Sequence, residues 1–449
     1  MNKRHVHFIG IGGISMSGLA QILLHNHIEV SGSDMKDSHL VEELRAHGAA
    51  ISIGHSAQNI TDPDLVVYTA AIKDDNPELV EARRRGIEAI ERAALLGELM
   101  KSYETAIAVA GTHGKTTTTS MLAHVLLAAG TDPTIMVGGE LDAIGGNLRK
   151  GGKQYFLTEA CEYHRSFLEF FPKIGIILNI EADHLDYFKD LDEIVDTFSD
   201  FAARLPKDGT LVIANDNKNN QIAAKSAKCP VVTVGLKDAD YLAKNICYDS
   251  DGHPTFDVVN GETTLCTLTL HVTGKHNVYN ALAAFACGMC LGFSPKHIKQ
   301  GLESFGGAKR RFEKKGEFGG IAVFDDYAHH PTEIKATLKT AMKIPHNTLW
   351  CVFQPHTYTR TKALFHDFSA SLRYADRVII TDIYAAREKD TGLVHAKDLA
   401  DTIEGSIYIK EFSEIVDYLA KQVRPGDIVI TMGAGNVYLV GEALLQKSK

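Results

Sequence analysis

The stretch "VAGTHGKTTTTSMLAHV", residues 109–125, joins a short apolar strand to a helical run, and its chemistry is that of phosphate. Gly111 and Gly114 permit a tight turn. Backbone N–H groups at the start of the helix point at anionic oxygens, and the helix dipole adds partial positive charge. Lys115 can reach terminal phosphates, and Thr116 offers a hydroxyl to Mg2+. The general loop pattern, G-x-x-x-x-G-K-[ST], would place its first glycine at position 109, which is Val109 here; Gly111 supplies a shorter turn. A Mg2+ that bridges phosphates needs hard oxygen ligands. Glu159 in "FLTEA", just past an apolar strand, and Asn179, Glu181, Asp183 and His184 in "IILNIEADHLD", past another, are candidates at two strand ends, where ligands gather in an open parallel sheet.

Two further constellations lie outside that segment. "GIGGISMSG", from Gly10, resembles a dinucleotide fingerprint, with acidic Asp34 after the next strand and Ser15 at the third glycine position. It suits a phosphate-bearing nucleotide with a ribose-like hydroxyl. A nicotinamide-dependent oxidoreductase is the competing reading from another class, and it leaves the central ATP loop without a purpose. Near the C-terminus, Asp325, Asp326, Tyr327, His329 and His330 end one strand, and His356, Thr357 and Arg360 follow another. An arginine among histidines suits a small carboxylate, because guanidinium pairs with it bidentately. "GAGNVYLVG" is expected to be a structural glycine turn. No Ser-His-Asp order or reactive cysteine setting supports a covalent enzyme intermediate.

The elements that must position these residues alternate strand with helix throughout, which predicts α/β layers with mostly parallel sheets. A chain of 449 residues is too long for one core. The strand–helix scheme restarts after the helical "RAALLGELMKSYET", and "ESFGGAKRRFE" reads as a hinge. Three domains are therefore expected: residues 1–99, Rossmann-like; residues 100–307, a P-loop ATPase-like parallel sheet; and residues 308–449, again Rossmann-like. The net charge of -9 argues against nucleic acid or an anionic membrane as partner. The opening "MNKRHVHFIGIGG" enters a strand directly, and no apolar run is long enough to span a bilayer, so the expected location is cytoplasmic. Seven cysteines without regular spacing make no disulfide framework. Cys287 and Cys290, a CxxC inside an apolar helical pattern, are expected to be two packed core thiols.

Taken in order, "GIGGISMSG", "SGSD", "GTHGKTTTT", "TEACEYHRSFL", "NIEADHLDYF", "GKHNVYNALAA", "GAKRRFE", "DDYAHHPTEI" and "QPHTYTRT" closely resemble the Mur ligases of peptidoglycan synthesis over essentially the whole chain. "DDYAHHPTE" and "QPH" with Arg360 narrow the resemblance to the muramate–alanine branch and its close relatives. The resemblance implies an N-terminal domain for the UDP-sugar, a central one for ATP and a C-terminal one that closes over both with the amino acid. It also implies a reaction: ATP phosphorylates the lactyl carboxylate of UDP-N-acetylmuramate, and the amine of L-alanine displaces phosphate from the acyl phosphate. A relative that attaches a preformed peptide to the same acceptor is the near alternative.

Carried over position by position, Gly111, Thr112, His113, Gly114, Lys115, Thr116 and Thr117, with Asn277 and Arg311, resemble the ATP site. Thr116, Glu159 and His184 look like the shell of a Mg2+ (or Mn2+). Gly10, Gly12, Gly13, Ser15 and Asp34 resemble the UDP-sugar side; Tyr327, His329 and Arg360 resemble the amino-acid holders. Lys115, Glu159, His184, His329 and Arg360 are the implied catalytic set. Where many members read "EADESD" this chain reads "EACEYH", keeping Glu159, and Thr357 stands where many carry arginine. Several other Mur ligases use a carbamylated lysine about four helical turns after the histidine of "DH"; the corresponding "DTFSDF" has none, as the alanine-adding branch implies.

Overall fold

The structure, a computed structural model, describes residues 3–69, 71–185, 187–249, 251–386 and 388–447. Three sheets follow one another along the chain. In the first, five parallel strands run in the order Ala50–Ile53, Glu29–Asp34, His5–Ile9, Leu65–Tyr68, Ala89–Glu91, the arrangement of a dinucleotide-binding half. Helices begin where the sequence can satisfy their free N–H groups. Asn76 caps Pro77–Arg84, with proline at the first helical position, and Ser38 caps His39–Ala46.

The second sheet has ten strands. Its parallel centre carries Thr105–Ala110 between Tyr155–Ala160 and Ile174–Ile177, so the phosphate loop leaves a middle strand buried on both faces. As expected the sheet is mostly parallel, and antiparallel strands are added only at its edges. Tyr241–Tyr248, Pro254–Asn260 and Thr263–Thr269 add an antiparallel meander, and Gly146–Arg149 pairs antiparallel with Thr134–Leu141. The third sheet runs Glu313–Phe318, Ile321–Asp326, Ile428–Met432, Leu349–Phe353, Arg377–Ile380, Ile407–Tyr408, parallel except for its first strand.

The cores are joined unequally. One apolar cluster is continuous from Met16 and Leu19 of the first sheet's helix to Met136 and Phe156 of the central sheet. The clusters of the third sheet take their buried residues only from Ile321 onward. The C-terminal domain meets the central one through polar groups, the kind of boundary across which domains move. The CxxC expectation is half right: Cys287 is buried in the helix Lys275–Cys290, whereas Cys290 at its end is exposed. Among the described residues no helix is long and apolar enough to cross a membrane.

Candidate active site

The phosphate loop is shaped by its glycines and clamped by one asparagine. Gly111 (φ +141°) passes against Leu178 and Asn179, and at Gly114 (φ +85°) a Cβ would lie 2.6 Å from Oδ1 of Asn280. Both positions need glycine. Asn179, at the end of the neighbouring strand, accepts the His113 N–H at Oδ1 (2.8 Å), donates from Nδ2 to the His113 carbonyl (3.0 Å) and accepts the Thr112 N–H at its own carbonyl (3.0 Å). Lys115 then opens the helix Lys115–Ala128. Its Nζ donates to the carbonyls of Gly111 (2.5 Å) and Thr112 (3.2 Å) and pairs with Glu162 at 3.1 Å. Burial opposes that charge, but Glu162, with Glu159 behind it, outweighs burial and holds the ammonium well above its ordinary pKa.

Thr116 donates from Oγ1 to Oε2 of Glu159 (3.1 Å), whose other oxygen accepts the Gly138 N–H. These two hard oxygens, one residue from the lysine, fit a Mg2+. His184, the third expected ligand, sits at φ +53° on the turn after Asp183, with its ring 4.5 Å from that of Tyr163. Its charged neighbours are Asp183, Glu162, Arg360 and Lys115, and burial lowers its pKa, keeping the imidazole neutral with a free lone pair. Thr116 and Glu159 are thus brought together, and His184 lies within reach of the charges of Lys115 and Glu162.

On the C-terminal side, Arg360 lies in the short helix Tyr358–Ala363. Its Nε donates to Oδ1 of Asp183 (3.2 Å) and its Nη1 is 3.1 Å from Nδ1 of His356. His329 is half-buried; its Nδ1 is 3.0 Å from the Tyr327 carbonyl. Burial, with the Arg360 charge, brings its pKa down to about 4 despite Glu333, so it is neutral. Tyr327 packs against the guanidinium groups of Arg310 (4.9 Å) and Arg311 (5.3 Å), and Arg311 reaches Glu333 at 3.8 Å. His330 caps the helix Pro331–Ala341 and points Nε2 at the Ala182 carbonyl (3.0 Å). Asp325 and Asp326 hold the hinge: Asp325 pairs with Arg310 (2.9 Å), and Asp326 accepts the N–H groups of Phe312 and Ala328. The same Arg310 donates to the carbonyls of Gly433 and Gly435, so "GAGNVYLVG" is a structural turn.

Between the central and C-terminal domains lies a cavity of about 1010 Å³, walled by His113, Gly114, Thr117, Asn277 and Arg311 among others, a volume suited to a nucleotide. Asn277 keeps its amide on Thr273 and Asn280. The first domain's turn forms as its glycines require: Gly10 stands at φ +83° and donates to the Ser33 carbonyl. Asp34 accepts the Gly12 N–H at Oδ2 (2.9 Å) and so braces the turn. Gly13 is exposed beside it, and Ser15 reaches a second cavity, of about 120 Å³, which Glu159 also walls.

Several site residues are recognisable only in the fold. Glu162 and Asn280 carried no readable signal. Glu333 carried one, since it stands four residues after His329 across a proline that starts a helix, and an acid there must face back toward that histidine. His113, Glu181 and His330 also converge. Their polar atoms are already engaged in the interface, His113 with Glu333 at 3.2 Å and Glu181 with Thr332 at 2.9 Å.

A nucleotide-sized cleft with a lysine-bearing loop, closed by a third domain, defines a class of ATP-using ligases, and the family models agree along the chain. Residues 5–104 match the Mur ligase family catalytic domain, residues 109–288 the Mur ligase middle domain, and residues 310–435 the Mur ligase glutamate ligase domain. The chain belongs to the Mur ligase family. Within it, the chain is 54% identical over 444 residues to the UDP-N-acetylmuramate–L-alanine ligase of Clostridium botulinum (strain Langeland), covering 98% of this chain and 97% of that one. It is 53% identical to the enzyme of that name from Alkaliphilus metalliredigens, with the same coverage. The crystal structure of the UDP-N-acetylmuramate–alanine ligase of Thermotoga maritima superposes with a TM-score of 0.83 at 31% identity, covering 99% of this chain and 98% of that one. A murein peptide ligase from Psychrobacter arcticus superposes with 0.73 at 27% identity and the same coverage.

Proposed function

We propose that the chain is a cytoplasmic, ATP-dependent ligase that joins the lactyl carboxylate of UDP-N-acetylmuramate to the amine of L-alanine, giving ADP and phosphate. One observation carries this reading: Ser15 of the first domain's glycine turn and Glu159, which holds Thr116 of the phosphate loop, wall one pocket. A sugar nucleotide docked on that turn has its acid directed at the terminal phosphate of a nucleotide on the loop.

ATP lies in the larger cavity, its base near Asn277 and Arg311 and its phosphates on the N–H groups of residues 111–117. A carboxylate oxygen of the acceptor attacks the γ-phosphorus and ADP leaves. Lys115 and the helix N-terminus offset the charge of the transferring group, so no protein nucleophile is needed. Thr116 and Glu159, with His184 from the facing turn, would hold Mg2+ or Mn2+, which when bound screens the phosphate oxygens. The amine of alanine then attacks the acyl carbon, and phosphate leaves with the oxygen it acquired from the carboxylate.

Arg360 supplies the fork for the alanine carboxylate, releasing Asp183. We read His329 as a partner of the alanine amine rather than of its carboxylate. A carbonyl only accepts, so Nδ1 carries the proton that bonds Tyr327, and Nε2 is left as an acceptor. A neutral acceptor suits the amine of alanine, with Tyr327 beside it, better than the carboxylate.

Phosphate release is expected only when ATP, UDP-N-acetylmuramate and L-alanine are present together. Release with a tripeptide and not with alanine would favour the peptide-adding alternative, the kind of enzyme represented by the murein peptide ligase of Psychrobacter arcticus at 27% identity. Release without acceptor would mark a plain nucleotidase, and oxidation of NAD(P)H would mark the oxidoreductase.

A further inference from the structure

Arg92 opens the helix Arg92–Met100 and faces the pocket shared by Ser15 and Glu159. Among the described residues its guanidinium makes no side-chain hydrogen bond or ion pair. The titratable groups acting on it are a thiol, Cys161, and Glu91, while burial pulls its pKa down. A half-buried guanidinium without a partner is costly to keep, and its cavity is otherwise lined by apolar Leu96, Met136 and Phe170 and by neutral polar groups such as Asn147. The one carboxylate there, Glu159, is occupied by Thr116 and Gly138.

Its place is specific. Cys161, one residue before the Glu162 that pairs with Lys115, feels both Lys115 and Arg92. The two cations therefore flank the same short segment, one from the phosphate loop and one from the acceptor side. Resting on the ligase reading above, we infer that Arg92 is the anchor for the acceptor's lactyl carboxylate. Its planar fork holds the two carboxylate oxygens and leaves a lone pair on one of them for attack on the γ-phosphate. The positive charge also offsets the repulsion between two anions that must come into contact. The glycine turn at Ser15 takes the diphosphate instead, so the two anionic groups of the acceptor have separate seats.

Binding isolates this role. For Arg92→Met, affinity for UDP-N-acetylmuramate is expected to fall about 10- to 100-fold, the loss of a hydrogen-bonded charge partner. Affinity for UDP-N-acetylglucosamine, which shares the diphosphate and sugar but lacks the lactyl acid, is expected to stay within about twofold, as is affinity for MgATP. Arg92→Lys is expected to restore part of the loss, keeping the charge without the fork. Unchanged binding of UDP-N-acetylmuramate would overturn the inference. So would an equal loss for both sugar nucleotides, which would assign Arg92 to the diphosphate or to the fold. Turnover of the unaltered protein separates the parent reading: a chain that binds UDP-N-acetylmuramate through Arg92 but releases no phosphate with ATP and alanine would overturn the ligase reading and leave the anchor standing.

Discussion

Nδ1 of His113, in the phosphate loop, lies 3.2 Å from Oε1 of Glu333, on the first turn of a helix in the C-terminal domain. Oε2 of Glu181 is 3.6 Å from the other ring nitrogen. Burial alone would strip the imidazole of its proton, but the two carboxylates outweigh it and raise the pKa from 6.5 to about 9. One histidine of the phosphate loop thus ties that loop to the C-terminal domain.

The sign of the pH effect follows from that shift. With a folded pKa above the free value, the contribution is complete below 6.5 and disappears as pH rises through about 9. Glu333→Gln removes one of the two stabilising charges. Its turnover is expected to fall about 10-fold or more at neutral pH, with the alkaline decline beginning at lower pH than in the unaltered chain. A pH–rate profile with an unmoved alkaline limb would assign that limb to another group.

Lys115→Ala removes the charge compensation of phosphoryl transfer. Phosphate release is expected to drop at least ~1000-fold. Glu162 is left buried without its cation, so some loss of Tm is expected as well. The circular dichroism spectrum should be retained. Near-normal phosphate release from a folded Lys115→Ala protein would contradict the assigned role.

Arg360→Ala is expected to act on the amino acid. The KM for alanine should rise about 10- to 100-fold, with the KM for ATP within about twofold. Steady-state kinetics with each substrate varied in turn decides it; collapsed nucleotide use with unchanged alanine kinetics would place the residue elsewhere.

A buried network under the first domain sets its acid stability. Glu78 accepts from Ser33 (2.6 Å) and Asn59, with the His7 ring 3.7 Å away. Burial would raise its pKa, but these partners outweigh burial and bring it to about 2. The folded pKa lies below the free value, so its contribution is present above 4.5 and fades as pH falls toward 2. Glu78→Gln is expected to cost about 3 kcal/mol at pH 7 and to flatten the acid limb of stability. Denaturant melts at several pH values check both.

The legible parts were those where a local rule acts alone. Gly111 and Gly114 must be glycine wherever they occur before such a helix, and Lys115 and Thr116 take their places from it. The restart of the strand–helix alternation near residue 105 marked a new sheet. What was not legible depends on long-range contact. The meander strands Tyr241–Tyr248, Pro254–Asn260 and Thr263–Thr269 are of mixed polarity, and only their pairing partners make them recognisable. Arg92 is 67 residues from Glu159, and no spacing rule joins them in one pocket. Asp34 stands at a fingerprint position, and that its carboxylate also braces the turn through the Gly12 N–H shows only in three dimensions.

The most direct test of phosphoryl transfer from the loop to the sugar acid follows an oxygen atom. UDP-N-acetylmuramate is labelled with heavy oxygen in its lactyl carboxylate, turned over with ATP and L-alanine, and the released phosphate is weighed by mass spectrometry. One heavy oxygen in each phosphate is the predicted result. Unlabelled phosphate, or label drawn from heavy water instead, would contradict an acyl phosphate formed between Lys115 and the first domain's turn.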